Sequence, residues 1–193
     1  IASGGGIVFG ASILDRGLRL VVTWLLSGYF GPEVFGIYTI VITIMTLVKM
    51  FSPLGTELGT VYFGARHRKN ADRARLKGLI LSSLGLSLIS ALMCTGMLWV
   101  AAPSITDHVS ELRVIATALL FWTPLHTIIG LLRAQKDMKG NALVYQITMP
   151  LVLVSGAISV VWFEWTLTTA LITYVLSTAV PLLYGIKRAW EHF

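Results

Sequence analysis

Charge is scarce in this chain, and cysteine scarcer. Of 193 residues only 12% are charged, 55% are hydrophobic, and the mean hydropathy is +0.79. An ordinary soluble domain carries about 25% charged residues, so a water-exposed globule is excluded. Cys94 stands alone, which excludes an internal disulfide and a cysteine metal cluster. The chain has no H-x-x-x-H pair, no Walker loop, no G-x-G-x-x-G turn and no G-x-S-x-G elbow. Its apolar stretches hold no carboxylate pair and no nucleophile with a base, and the adjacent Asp107 and His108 are too ordinary to change that. We therefore expect no enzyme, no metal and no cofactor.

What the sequence has instead is length of apolar run. Six stretches, over about residues 7–27, 34–51, 78–102, 114–132, 142–163 and 166–186, are each near the roughly 20 residues that cross a hydrocarbon core of about 30 Å. The expected fold is all-α: a polytopic membrane protein whose residues 1–193 form one six-helix transmembrane bundle. Glycine and proline in "GYFGPE", residues 28–33, supply the first turn. The first stretch has no basic lead-in and carries its charges in the middle, unlike a signal peptide. The chain opens on Ile1, and we expect a piece of a longer protein.

The cations give an orientation. Lys and Arg collect in cytoplasmic loops, and eleven of the fifteen fall on one side: Arg66, Arg68, Lys69, Arg73, Arg75 and Lys77, then Arg133, Lys136 and Lys139, then Lys187 and Arg188. Arg113 sits at the outer start of the fourth span, and Lys49 is read as the inner end of the second. Both termini are thus expected inside. The same asymmetry accounts for the net charge of +6 without a nucleic-acid partner. Residues 55–77 read as a basic cytoplasmic loop or an amphipathic helix against anionic membrane lipids, with Val61 to Phe63 and Leu76 as apolar anchors.

Only Arg16 and Arg19 are left without a topological role. With Asp15 they lie inside the first span, in "SILDRGLRLVV", where each ionised group costs about 2.5 to 3.5 kcal/mol on insertion scales. At about 100° per residue, Ser12, Asp15, Arg16, Arg19, Thr23 and Ser27 share an arc of about 120°. Asp15 and Arg19 can pair in the favourable acid-first order, leaving Arg16 uncompensated. One reading is packing: the charges meet partners on neighbouring helices. The other is a solvated cavity whose guanidinium groups, which stay charged and bind phosphate bidentately, attract an anionic ligand.

Other polar residues are candidates for the same space. The fourth span holds Thr123, Pro124, His126 and Thr127, and the fifth holds Gln146 and Pro150. A proline in a span bends the helix and frees a carbonyl, so both helices are expected to kink. His126 suits either a hydrogen-bonded packing role or a cavity and proton-linked one. Stripes such as Thr39, Thr43 and Thr46, or Ser83, Ser87, Ser90 and Cys94, read as close packing. The expected binding set is Arg16, Arg19, Asp15, Thr23, His126 and Gln146.

Three stretches together resemble a known family. "DRGLRLVVTWLLSGYFGPEVFGIYTIVITI" at 15–44, with its turn Gly31, Pro32, Glu33, Phe35, Gly36 and Tyr38, is similar to the opening of Wzx-type oligosaccharide flippases of the multidrug/oligosaccharidyl-lipid/polysaccharide (MOP) exporter superfamily. "LGTELGTVYFGARHRKNADRARLKGLIL" at 54–81 and "LLRAQKDMKGNALVYQITMPLVLV" at 131–154 resemble that family's end of helix two with its basic loop, and its junction of helices four and five. The resemblance implies an inner-membrane flippase of surface polysaccharide biosynthesis, such as that of lipopolysaccharide O-antigen. Its partner is a polyprenyl-diphosphate-linked glycan, moved by alternating access between two six-helix lobes. Arg16 and Arg19 occupy the helix matching the family's basic first helix. Six spans correspond to the N-terminal lobe alone, so a second lobe is expected as a further partner, in the same chain or in another copy. A cation-coupled multidrug exporter of the same superfamily and a non-transporting membrane scaffold are the alternatives.

Overall fold

The computed structural model describes residues 2–69 and 73–190, with helices and connecting turns but no strand among them. Residues 70–72 of the basic segment lie outside the described residues, as do the side chains of Arg68, Lys69 and Arg73.

Helix α1 (Ala2–Phe51) is broken at Gly31, whose φ of 70° and ψ of 175° are non-helical. Glycine takes that conformation without a Cβ penalty, and Pro32 restarts the helix where a missing N–H costs nothing. Val22 and Leu26 before the break and Tyr38 after it line one small cavity with Leu153 and Ala157. A straight helix would hold residues 22 and 38 about 24 Å apart, so the chain doubles back at Gly31. The expected turn over 28–33 thus narrows to one residue. A second turn, with Leu54 at φ 46° and Gly55 at φ 75°, leads into α2 (Thr56–Lys69).

Then follow α3 (Arg73–Ile105), α4 (Val109–Ala116), α5 (Leu119–Ala134) and a short α6 (Met138–Asn141). A π-helical segment (Ala142–Thr148), α7 (Met149–Trp162) and α8 (Leu167–Trp190) complete the chain. Five helical runs are long and apolar enough to cross a membrane, the folded one at the N-terminus included. The architecture fits a polytopic membrane protein.

α5 is the central helix. The most apolar stretch of α4–α5 is 72% buried, against 17% for the N-terminal run and 28% for α3. Leu125, Ile129 and Leu132 of α5 pack with Val144 and Leu182, while a second core joins Val41, Met45, Leu112, Ile115, Leu153 and Leu171.

Among helices in lipid, close approach of small residues replaces the hydrophobic effect as the packing force, and α2 meets α5 in that way. Ser52 bonds Thr123, Thr56 bonds Thr127 at 3.1 Å, and Gly64 faces Ala134. The pairs advance together, so the two helices run parallel. A Cβ on Gly130 would stand 2.6 Å from the carbonyl oxygen of Glu57; the approach requires glycine.

The prolines act on the turns before them. At the junction of α4 and α5 the 3₁₀-type bonds from Ala118 N–H to the Ile115 carbonyl and from Phe121 N–H to the Ala118 carbonyl precede Pro124, and α4 ends there rather than running through. Pro150, in the first turn of α7, has no N–H for the Gln146 carbonyl. The turns ahead of it widen to π geometry, with the Thr148 hydroxyl donating to the Leu143 carbonyl five residues back at 2.7 Å.

Candidate functional site

α1 turns one edge inward. Ala11, Val22 and Leu26 are buried, Asp15 and Arg19 are half-buried, and Arg16 and Thr23 are exposed. The polar arc is therefore split: its Ser12–Asp15–Arg19 side faces the π segment and α7, and its Arg16–Thr23 side lies open. A helix packs along a stripe narrower than the arc the polar residues occupy, which is why they divide.

Asp15 and Arg19 pair at 2.9 Å, Arg19 Nε donating to the carboxylate. Arg19 Nη2 also lies 3.7 Å from the Met149 sulfur. Arg16 makes no ion pair among the described residues. Gln146 Nε2 donates to Ser12 Oγ at 2.8 Å, which ties the π segment to α1. Thr23 spends its hydroxyl on the Arg19 carbonyl of its own helix.

His126 belongs to a second group. Its Nδ1 is 2.6 Å from Glu57 Oε2, and Arg133 donates to Glu57 Oε1. A carboxylate only accepts, so Nδ1 donates in this contact and Nε2 is the ring's other nitrogen. That Nε2 and the Gln146 Oε1 are sealed and have no hydrogen-bond partner among the described residues. Asn141 Oδ1 is in the same condition, although buried polar atoms are ordinarily satisfied.

Aromatic rings join the two groups. His126 lies 4.5 Å from the Trp122 ring and 5.7 Å from Tyr145, centroid to centroid. Tyr145 is within electrostatic reach of Asp15, Arg19 and Glu57. Lys49 completes the set: its Nζ sits 4.5 Å from the Trp122 ring centroid and donates to the Tyr174 hydroxyl at 3.3 Å. The cations Arg16, Arg19, Lys49 and Arg133 thus outnumber the carboxylates Asp15 and Glu57. No group of three or more His, Cys, Asp or Glu residues that could hold a metal ion occurs among the described residues.

Sequence reasoning missed Glu57, Lys49 and Arg133. The last two were assigned to topology by their place at span ends. Glu57 left a signal, as the sole acid between residues 34 and 71.

A family whose description reads "Polysaccharide biosynthesis protein" matches residues 1–190. The chain belongs to that family. No curated protein and no solved structure matches it. Membership of the polysaccharide biosynthesis family and the long apolar helices together give a multi-pass membrane protein with a transport-type role in polysaccharide synthesis.

Proposed function

We propose that this chain is the N-terminal lobe of a Wzx-type flippase, which carries a polyprenyl-diphosphate-linked oligosaccharide across the inner membrane for surface polysaccharides such as O-antigen. In this reading the break at Gly31 separates two crossings, giving six, and the basic helix ends lie in the cytoplasm with both termini. A second lobe, in the same protein or another copy, closes the cavity.

One observation carries the proposal. Asp15 compensates one of the two guanidinium groups of the first span, and exposed Arg16 keeps its full charge where insertion costs about 2.5 to 3.5 kcal/mol. A diphosphate offers that charge a bidentate partner. Lys49, missed from the sequence, is a further cation for the second phosphate; Thr23 offers a polar contact to the sugar from the open side, and Gln146 and His126 do so once the helices that seal them part. No covalent step is needed: the lobe shelters the headgroup while the tail stays in lipid, and the π segment and the 3₁₀ turns before Pro124 are where its helices bend.

The test is to replace Arg16 and Arg19 by alanine, and separately by lysine, in cells that need the protein for surface glycan. The expected result is lost export at normal protein level, with partial rescue by lysine, which keeps charge without the fork. Full export by the alanine variants would overturn the proposal. Loss of the protein itself would assign the arginines to packing; cysteines at positions 12, 16 and 23 that resist aqueous labelling would support the same conclusion. Glu57 beside His126 favours a second reading, a cation-coupled exporter, in which Glu57→Gln would abolish proton-driven drug efflux.

A further inference from the structure

α3 and α8 both pack on α5 but scarcely on each other. The gap they leave is a groove of about 230 Å³ on the flank of the bundle. Ile128 and Leu131 of α5 form its buried floor, Ile80 and Leu84 one wall, and Ile186 the other. Lys77 stands at the mouth.

Polar surface is nearly absent from the groove, and interiors of proteins tolerate few voids of this size. A dry apolar gap on the lipid-facing flank of a membrane protein has one filler in constant supply, a hydrocarbon chain. The groove's mouth specifies which chain. Lys77 is exposed and makes no ion pair among the described residues. It meets the ends of α5 and α8, where Leu131 and Ala189 also line the groove. Exposed Lys187 lies on the same last turn of α8. Asp137, in the loop after α5, is held by Arg188 at 3.0 Å, and no acidic residue is among those lining the groove.

We infer that this groove is a binding site for one anionic phospholipid of the bilayer, an acyl chain seated on Ile128 and Leu131 and the headgroup phosphate on the Lys77 ammonium. The site lies on the flank formed by α3, α5 and α8, separate from the Arg16–Arg19 group on α1, and does not depend on the transport reading.

Native mass spectrometry of the full-length protein tests it, with phosphatidylglycerol and phosphatidylcholine of identical chains added in turn. Wild type should retain phosphatidylglycerol about fivefold more tightly, the effect of about one basic residue near a phosphate surface. Lys77→Gln should remove that preference without removing binding. Leu84→Trp, which fills the groove, should remove both, and Leu81→Trp at the exposed rim does the same if the first variant fails to fold. Equal retention of the two lipids by wild type, an unchanged preference in Lys77→Gln, or undiminished binding in a folded groove-filling variant would each overturn the inference.

Discussion

Replacing Gly130 by alanine puts the α2–α5 seam to a quantitative test, because two effects of opposite sign meet at one atom. In an open helix interior the change stabilises by about 1 kcal/mol, since alanine is the better helix former. At Gly130 the new Cβ would lie 2.6 Å from the Glu57 carbonyl oxygen and 3.2 Å from that residue's carbonyl carbon and Cα. These are backbone atoms, so no rotamer change relieves the contact. Overpacking of this kind costs about 1 to 3 kcal/mol. Moving α2 outward also stretches the Thr56–Thr127 bond and both Glu57 contacts, to His126 and Arg133. Interhelical hydrogen bonds in membranes average about 0.6 kcal/mol each, so about 2 kcal/mol more is at risk. The balance is a loss of about 2 to 4 kcal/mol after the propensity gain is subtracted. Denaturant titration in mixed micelles measures it, with Gly85→Ala in α3, where a Cβ meets nothing within 4 Å, as the control for propensity. Equal stability of Gly130→Ala and Gly85→Ala would refute the seam.

Glu57→Gln should cost about 1.5 to 3 kcal/mol, the range for hydrogen bonds to a charged group, because the amide cannot serve both His126 and Arg133 as an anion; a double-mutant cycle with Arg133→Met should show most of the loss as coupling, and additive losses would place the two residues apart. Pro150→Ala restores an N–H toward the Gln146 carbonyl and should convert the π segment to α-helix. In a Cys94→Ser background, cysteines at positions 12 and 146, which replace side chains bonded at 2.8 Å, should then be joined less readily by a short bifunctional thiol reagent; undiminished cross-linking would show that the proline does not set the widened turn.

The sequence made local features legible and left distant ones hidden. The Asp15–Arg19 pair was readable because four residues of helix fix its geometry, and the first turn was readable because glycine and proline leave few alternatives. That the arc divides, with Arg16 and Thr23 outside the packed edge, depends on which neighbours α1 finds. Glu57 meets His126 and Arg133 across 69 and 76 residues, and no periodicity links positions so far apart. Lys49 illustrates a different obstacle: a lysine near a span end satisfies a topology rule so well that its place over Trp122 goes unsuspected. Pro124 and Pro150 were read as bending points; what the structure shows is irregular hydrogen bonding in the turns ahead of each ring, 3₁₀-type before Pro124 and π before Pro150.

The parallel seam also limits how α2 can travel. The α5 hydroxyls recur every four residues, Thr123 and Thr127, against Ser52 in the turn before α2 and Thr56 at its start, so a sliding α2 meets the next α5 hydroxyl only after about 6 Å. Shorter displacements set one row of hydroxyls against the next crest. The contact behaves as a detent: it holds one notch or jumps to another, and gives this end of the bundle discrete positions rather than a continuum.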